Sequence, residues 1–312
     1  FGRVFPHPYG PADGKLFTTL LTTSPAGDEL TVSFAKALIE GEKLGQDDVP
    51  DYLSVSLSST DYVGHLFGPS SLESEDQILR LDRQIADLLS FVDERIGIDK
   101  TLIVLSADHG AADPPGYLER YGIPATYINP KEWDTTPGLS RLKERFGIGK
   151  ELIKSYFHPY IYLDEEAIAK SGASQAEVER EVANEVMKLP GVALAVSSTA
   201  LATGAYADMP LMRSILKNFS PSRSGDVFVV FAPHSFINDF DGLTVAAHHG
   251  SPWNYDTYVP MIFAGNGLDG RRIARRVETV DLAPTLSALL GTKPPSGSVG
   301  KPLTEVIDAM DD

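Results

Sequence analysis

The stretch that most restricts the fold runs from residue 52 to residue 110. YLSVSL, residues 52 to 57, is a short apolar run with β-branched character, bounded by Pro50 before it and by Ser58, Ser59 and Thr60 after it. That pattern predicts a buried strand. Ser70 with Glu73 then resembles a capping box, and Ile78, Leu81, Ile85, Leu88, Leu89, Val92 and Ile96 recur at helical spacing up to Gly97. A long amphipathic helix is expected there. TLIVLSADHG, residues 101 to 110, reads as a second buried strand, because its unbroken apolar run suits a sheet covered on both faces. Strand, long helix and strand make a βαβ unit, so the expected class is α/β with a doubly wound, mostly parallel sheet. Such sheets bind ligands at the carboxyl ends of their strands, where Asp61, His65, Asp108 and His109 follow the two apolar runs.

From about residue 113 the texture changes. Pro114, Pro115, Gly116, Pro124 and Pro130 break the pattern into loops. Strands are expected at YIYL (160 to 163), GVALAV (191 to 196) and VFVVFA (227 to 232). Helices are expected from Ser174 to about Lys188, with alternating charges, and near 208 to 217. This order predicts a small α+β insertion over residues 113–235, within a core formed by 1–112 and 236–312. The insertion shows no catalytic cluster, and its charged helix reads as a solvated face. VPMIFAG (259 to 265) returns to the buried-strand texture, and TVDLAPTLSALLG (279 to 291) reads as a strand end entering a helix.

Composition limits the chemistry. The 312 residues carry a formal net charge of -16 and no cysteine, so disulfides and thiolate ligands are excluded. A metal would have to be held by carboxylate and imidazole. A polyanionic or anionic-membrane partner would be repelled over most of the surface, so neither nucleic acid nor membrane is expected as a partner. No apolar stretch has the roughly 18 residues of a membrane span. FGRVFPHPYGP, with no initiator Met and with Pro6, Pro8 and Pro11, reads as a fragment or a processed chain.

Asp61 and His65 are four residues apart, so both reach one ion if the backbone turns helically after the strand. Adjacent Asp108 and His109 at a strand end can straddle a site and serve two neighbouring ions. Two ions about 4 Å apart suit displacement at phosphorus. Singly, each pair is more often a surface or capping arrangement; together, at the ends of two strands, they point to a metal. The third element is AAHHGSPWNYDTYVPMIFAG (246 to 265), which places a histidine before a Gly-Ser-Pro turn. Position alone does not choose between His248 and His249.

SLSSTDYVGHLFGP, LSADHGA and HHGSPWNYDTYVPMIFAG, in that order, resemble the metal-binding motifs of the alkaline phosphatase superfamily. Within it the chain is similar to the type I phosphodiesterase and nucleotide pyrophosphatase branch, and to secreted bacterial alkaline phosphatases of the PafA type. LTVSFAKALIEGEKLG (30 to 45) and VDLAPTLSALLG (280 to 291) match as well.

The resemblance implies that Asp61, His65 and His249 hold one zinc, and that Asp108 and His109 belong to a second. It further implies an aspartate ligand, a threonine nucleophile and phosphate-binding residues in a preceding region that these motifs do not include. FTTLLTTSPAG, with Thr18, Thr19, Thr22 and Thr23, aligns with a linker rather than with the nucleophile turn. The catalytic nucleophile is therefore unassigned in this chain. One zinc site is expected to be complete and the other to have two ligands, with a separate N-terminal fragment as the partner that completes it.

The implied activity of a whole enzyme is alkaline hydrolysis of small phosphate monoesters through a phospho-threonine, in the periplasm or outside the cell. The alternatives are phosphodiester or nucleotide pyrophosphate hydrolysis, and a non-catalytic metal-binding fragment. A cofactor-independent phosphoglycerate mutase, which prefers manganese, has different flanking motifs. This chain alone is expected to bind one metal well and to turn over phosphate esters poorly or not at all.

Overall fold

In the computed structural model, which describes residues 4–240 and 242–311, the chain divides into two units. The first is Phe1–Gly110 with Tyr258–Asp312, and the second is Ala111–Thr257. The first three residues of the expected entry loop lie outside the described residues.

In the first unit, Ser24 starts the helix Pro25–Gly41 by accepting from the Ala26 N–H, with Pro25 at the position where a missing N–H costs nothing. Asp28, Val32, Ala35 and Ile39 form its buried stripe. The long helix is present as Leu72–Arg95, capped by Ser71 rather than Ser70. Ser71 has extended backbone angles, so its Oγ reaches the Ser74 N–H at 3.1 Å. Its buried residues are Gln77 and Gln84, while Ile78 is 52% exposed. Leu81, Ile85, Leu88, Leu89, Val92 and Ile96 of the expected stripe are half-buried on the same face, so the stripe holds apart from its first residue.

The expected strand at 52 to 57 is absent. These residues alternate between exposed and half-buried, as a pleat would, but make no ladder among the described residues. Alternation gives a segment two faces; a strand also needs a neighbour for its N–H and C=O groups. Leu102–Ser106 does form a strand, paired antiparallel with Met261–Gly265 so that Leu102 lies opposite Gly265 and Ser106 opposite Met261. The βαβ crossover is therefore not among the described pairings. Nor does a strand end precede the helix Leu282–Leu289: Thr279–Asp281 is a 3-10 turn. The Asp281 carboxylate accepts from the Glu278 and Lys301 N–H groups, and that capping fixes the turn.

The second unit is built on an antiparallel sheet in the order Ile153–Phe157, Tyr160–Leu163, Val227–Phe231, Val192–Ser197. All five residues of Val227–Phe231 are buried. Successive side chains point to opposite faces, so Val227, Val229 and Phe231 join one cluster with Val178, Val182 and Val186 of the helix Gln175–Val186. Phe228 and Val230 join another with Met212 and Ile215 of the helix Pro210–Asn218. The charged helix expected to be a solvated face thus buries one side, including Glu179, which accepts from the Thr199 N–H.

Thr126–Tyr127 pairs with Ser235–Phe236 and is the parallel ladder among those described. Phe236 and Ala247 pack with Ala112, and the Trp253 indole donates to the Phe231 carbonyl at 2.9 Å. Residues 236–257 therefore belong with the second unit, not with the returning core. Helices and sheets in both units give the α/β class. Among the described residues no helix is long and apolar enough to cross a membrane.

Candidate metal centre

The segment after residue 58 turns directly into a helix, Ser59–Phe67. Ser58 makes no side-chain cap, and the first N–H groups of a helix need acceptors. Asp28, from the neighbouring helix, supplies one: its Oδ1 accepts from the Ser59 N–H at 3.0 Å. Its Oδ2 accepts from Gln77 Nε2 at 2.8 Å and from the Thr60 hydroxyl at 3.5 Å. Gly27 permits the approach, since a Cβ there would stand 2.3 Å from Ser59 Oγ. Asp28 is 1% exposed, and burial pushes its carboxyl above the ordinary range against the pull of these hydrogen bonds. The start of the helix is fixed from outside the helix.

Asp61 and His65 lie on one face, with His65 Nε2 3.5 Å from Asp61 Oδ2. His65 is buried and Asp61 half-buried. The other Asp61 oxygen, Oδ1, lies 3.9 Å from His109 Nε2, and Asp108 Oδ2 lies 3.6 Å from the same nitrogen. Thus Asp61, His65, Asp108 and His109 form one group in the first unit.

His109 Nδ1 lies 2.9 Å from the Gly110 carbonyl, which can only accept. Nδ1 therefore carries the hydrogen, and in the neutral ring Nε2 presents its lone pair to two carboxylate oxygens. Acceptors that face each other pairwise at these distances, with the Asp108 carboxylate itself largely exposed, are satisfied by a cation. The separations of 3.5 to 3.9 Å are somewhat longer than the roughly 3.3 Å at which a tetrahedral ion with bonds of about 2.0 Å sets its donors. Oxygen and imidazole nitrogen donors without sulfur suit a divalent metal ion.

The remaining two candidates, His248 and His249, lie in the second unit. His248 Nδ1 lies 2.9 Å from the His249 backbone nitrogen and 3.0 Å from the His249 carbonyl oxygen, so that edge of its ring is engaged by its own loop. Gly250 has φ +100°, a conformation that side chains disfavour. The Ser251 N–H donates to Asp256 Oδ2 at 2.7 Å. His248 and His249 line a cavity of about 1370 Å³ within this unit, shared with Tyr156, His158, Phe231 and Tyr255.

Thr22 and Thr23, in the linker helix Phe17–Thr22 and its cap, donate to the carbonyls of Thr18 and Thr19 at 2.6 and 3.1 Å. These hydroxyls serve the helix backbone. Sequence reasoning missed Asp28, Gln77 and His158. The signal for Asp28 was an acid on the apolar stripe of Val32, Ala35 and Ile39. Gln77 and Gln84 interrupt a stripe in the same way.

The pattern described as type I phosphodiesterase / nucleotide pyrophosphatase matches residues 10–252. Alkaline phosphatase PafA of Elizabethkingia meningoseptica is 34% identical over 310 residues, 97% of this chain and 54% of that protein. A protein of Myroides odoratus named a calcium-transporting ATPase is 35% identical over 292 residues, covering 93% and 52%. Alkaline phosphatase PhoV of Synechococcus elongatus is 34% identical over 304 residues, covering 97% and 53%. The crystal structure of wild-type PafA superposes with a TM-score of 0.81 at 32% identity, covering 92% of this chain and 54% of that one. The chain spans about half the length of the curated relatives it matches.

Proposed function

This chain belongs to the type I phosphodiesterase / nucleotide pyrophosphatase family, and from that premise we propose that the whole protein is a zinc-dependent phosphate monoester hydrolase of the alkaline phosphatase type. The observation that carries the reading is the chain of contacts that links His65 to Asp61, Asp61 to His109 and His109 to Asp108 at 3.5 to 3.9 Å. We assign Asp61, His65 and His249 to one ion and Asp108 and His109 to a second. The place of His249 rests on the order of the motifs and on the Gly-Ser-Pro turn that follows it.

A bound divalent ion supplies Lewis acidity toward a phosphoryl oxygen, and positive charge where a chain of net charge -16 would otherwise repel a phosphate dianion. The chain's own residues prepare that place. Asp61 turns one oxygen toward each imidazole, Asp28 holds the first turn of its helix, and the Gly110 carbonyl fixes the His109 tautomer. The nucleophile is not among the residues assigned here. The substrate class is a small phosphate ester, and the location is the periplasm or the exterior, by family resemblance. Two of the relatives, PafA and PhoV, carry the name alkaline phosphatase, which favours the monoester; the family description favours a phosphodiester or nucleotide pyrophosphate as the second reading.

The test is hydrolysis of p-nitrophenyl phosphate against bis-p-nitrophenyl phosphate at alkaline pH with added zinc. The chain as given should show little turnover of either, and a protein of the relatives' length should prefer the monoester. Ordinary turnover by the chain alone would show that it holds a nucleophile outside the assignment above. Preference of the longer protein for the diester would give the second reading instead.

A further inference from the structure

His158 lies in the turn between the strands Ile153–Phe157 and Tyr160–Leu163, about ninety residues from the His249 loop in sequence. Its Nε2 is 3.3 Å from the Gly250 carbonyl, and its Nδ1 is 2.8 Å from the Tyr156 hydroxyl. A carbonyl only accepts, so Nε2 carries the hydrogen. In the neutral ring Nδ1 is then an acceptor, and the Tyr156 hydroxyl donates to it. The ring also packs on Phe231 at 5.3 Å between centroids. Burial lowers the pKa of His158 and raises that of Tyr156, so both groups stay in the neutral forms this chain of donors needs.

The receiving end is the peptide next to His249. Gly250 sits at φ +100°, so the direction of its carbonyl is a property of the loop's unusual conformation. Ser251 is held by Asp256 and Trp253 by the Phe231 carbonyl, which fix the far side of the turn. His158 fixes the near side. We propose that His158, oriented by Tyr156, is a positioning residue that sets the backbone of the His249 loop through the Gly250 carbonyl and thereby the affinity of His249 for its ion. The inference rests on the assignment of His249 as a ligand. Groups that hold a ligand in orientation without touching the metal commonly change affinity by 10–100-fold when removed.

The experiment is a zinc titration of the full chain in competition with a chromogenic chelator, for the wild type, His249→Ala, His158→Ala, His158→Gln and Tyr156→Phe. The melting temperature of each is recorded without metal. A glutamine amide can donate from nearly the place of Nε2, so His158→Ala should weaken zinc binding by roughly tenfold and His158→Gln should recover most of it. Tyr156→Phe should fall between them. Wild-type affinity in His158→Ala, beside a clear loss in His249→Ala, would overturn the positioning role alone. So would equal losses in His158→Ala and His158→Gln that track their metal-free melting temperatures. An unchanged His249→Ala would overturn the ligand assignment and this inference with it.

Discussion

Asp28 carries a charge into a place with almost no water, and three donors meet it there: the Ser59 N–H, the Gln77 amide and the Thr60 hydroxyl. Removing the carboxylate strands those donors, so Asp28→Ala should cost about 2 kcal/mol, read as a lower urea midpoint. Asp28→Asn should be far milder. Gln77 Oε1 is buried without a hydrogen-bond partner, so a turned Gln77 amide can accept from the new asparagine while the asparagine oxygen keeps the Ser59 N–H. The sign with pH follows from the raised pKa of Asp28. Its stabilising share is complete below about 3.8, the unfolded value, and is lost as pH rises through the higher folded value. Asp28→Asn lacks that loss, so its stability relative to wild type should improve from pH 4 toward pH 7; a constant difference would contradict the account. At this scale the sequence was most legible for the proposed ligands: Asp61 and His65 lie four apart on one helix, and Asp108 and His109 follow the strand Leu102–Ser106. Asp28 and His158 were not found because their partners are remote in sequence and no local spacing marks them.

At the scale of elements, the strands Tyr160–Leu163, Val192–Ser197 and Val227–Phe231 and the helices Leu72–Arg95, Gln175–Val186 and Pro210–Asn218 were read from the periodic trace of their burial. The strand Ile153–Phe157 and the helices Pro25–Gly41 and Pro137–Phe146 were not. YLSVSL shows where that trace stops: its alternation is present, but pairing depends on a neighbour that periodicity does not name. The segment 266–278 is a second case. It is held to the helix Thr304–Asp311 by side chains, with Arg275 donating to both Glu305 carboxylate oxygens and Arg271 to the Glu305 carbonyl. The Arg275 guanidinium holds the Glu305 carboxyl down at about 2. A depressed carboxyl stabilises above its unfolded value, about 4.5, and that stability is lost as pH falls through about 2. Glu305→Gln should flatten urea midpoints across this window. The tie is exposed, so added salt should shrink the wild-type effect. An unchanged acid profile in Glu305→Gln would contradict the role given to this pair.

At the scale of the whole molecule, the three hydrophobic clusters formed by described residues all lie in the second unit. A sheet covered on both faces by its own helices should be independently stable, so residues 111–257 expressed alone should unfold in one cooperative urea transition. A non-cooperative slope would show that this core needs the rest of the chain. The α/β class and the order of the motifs were legible in the sequence. The edges of the second unit were not, because Trp253 and Phe236 are drawn to it by tertiary packing that leaves no break in composition. The central claim is that acid and imidazole side chains from three motifs hold a metal ion. Elemental analysis of the purified chain, beside Asp61→Ala and His249→Ala and with intact mass from the same samples, tests it most directly. The account predicts about one zinc per wild-type chain and its loss in both variants; a wild-type chain of the right mass without metal, or variants that keep it, would contradict the account.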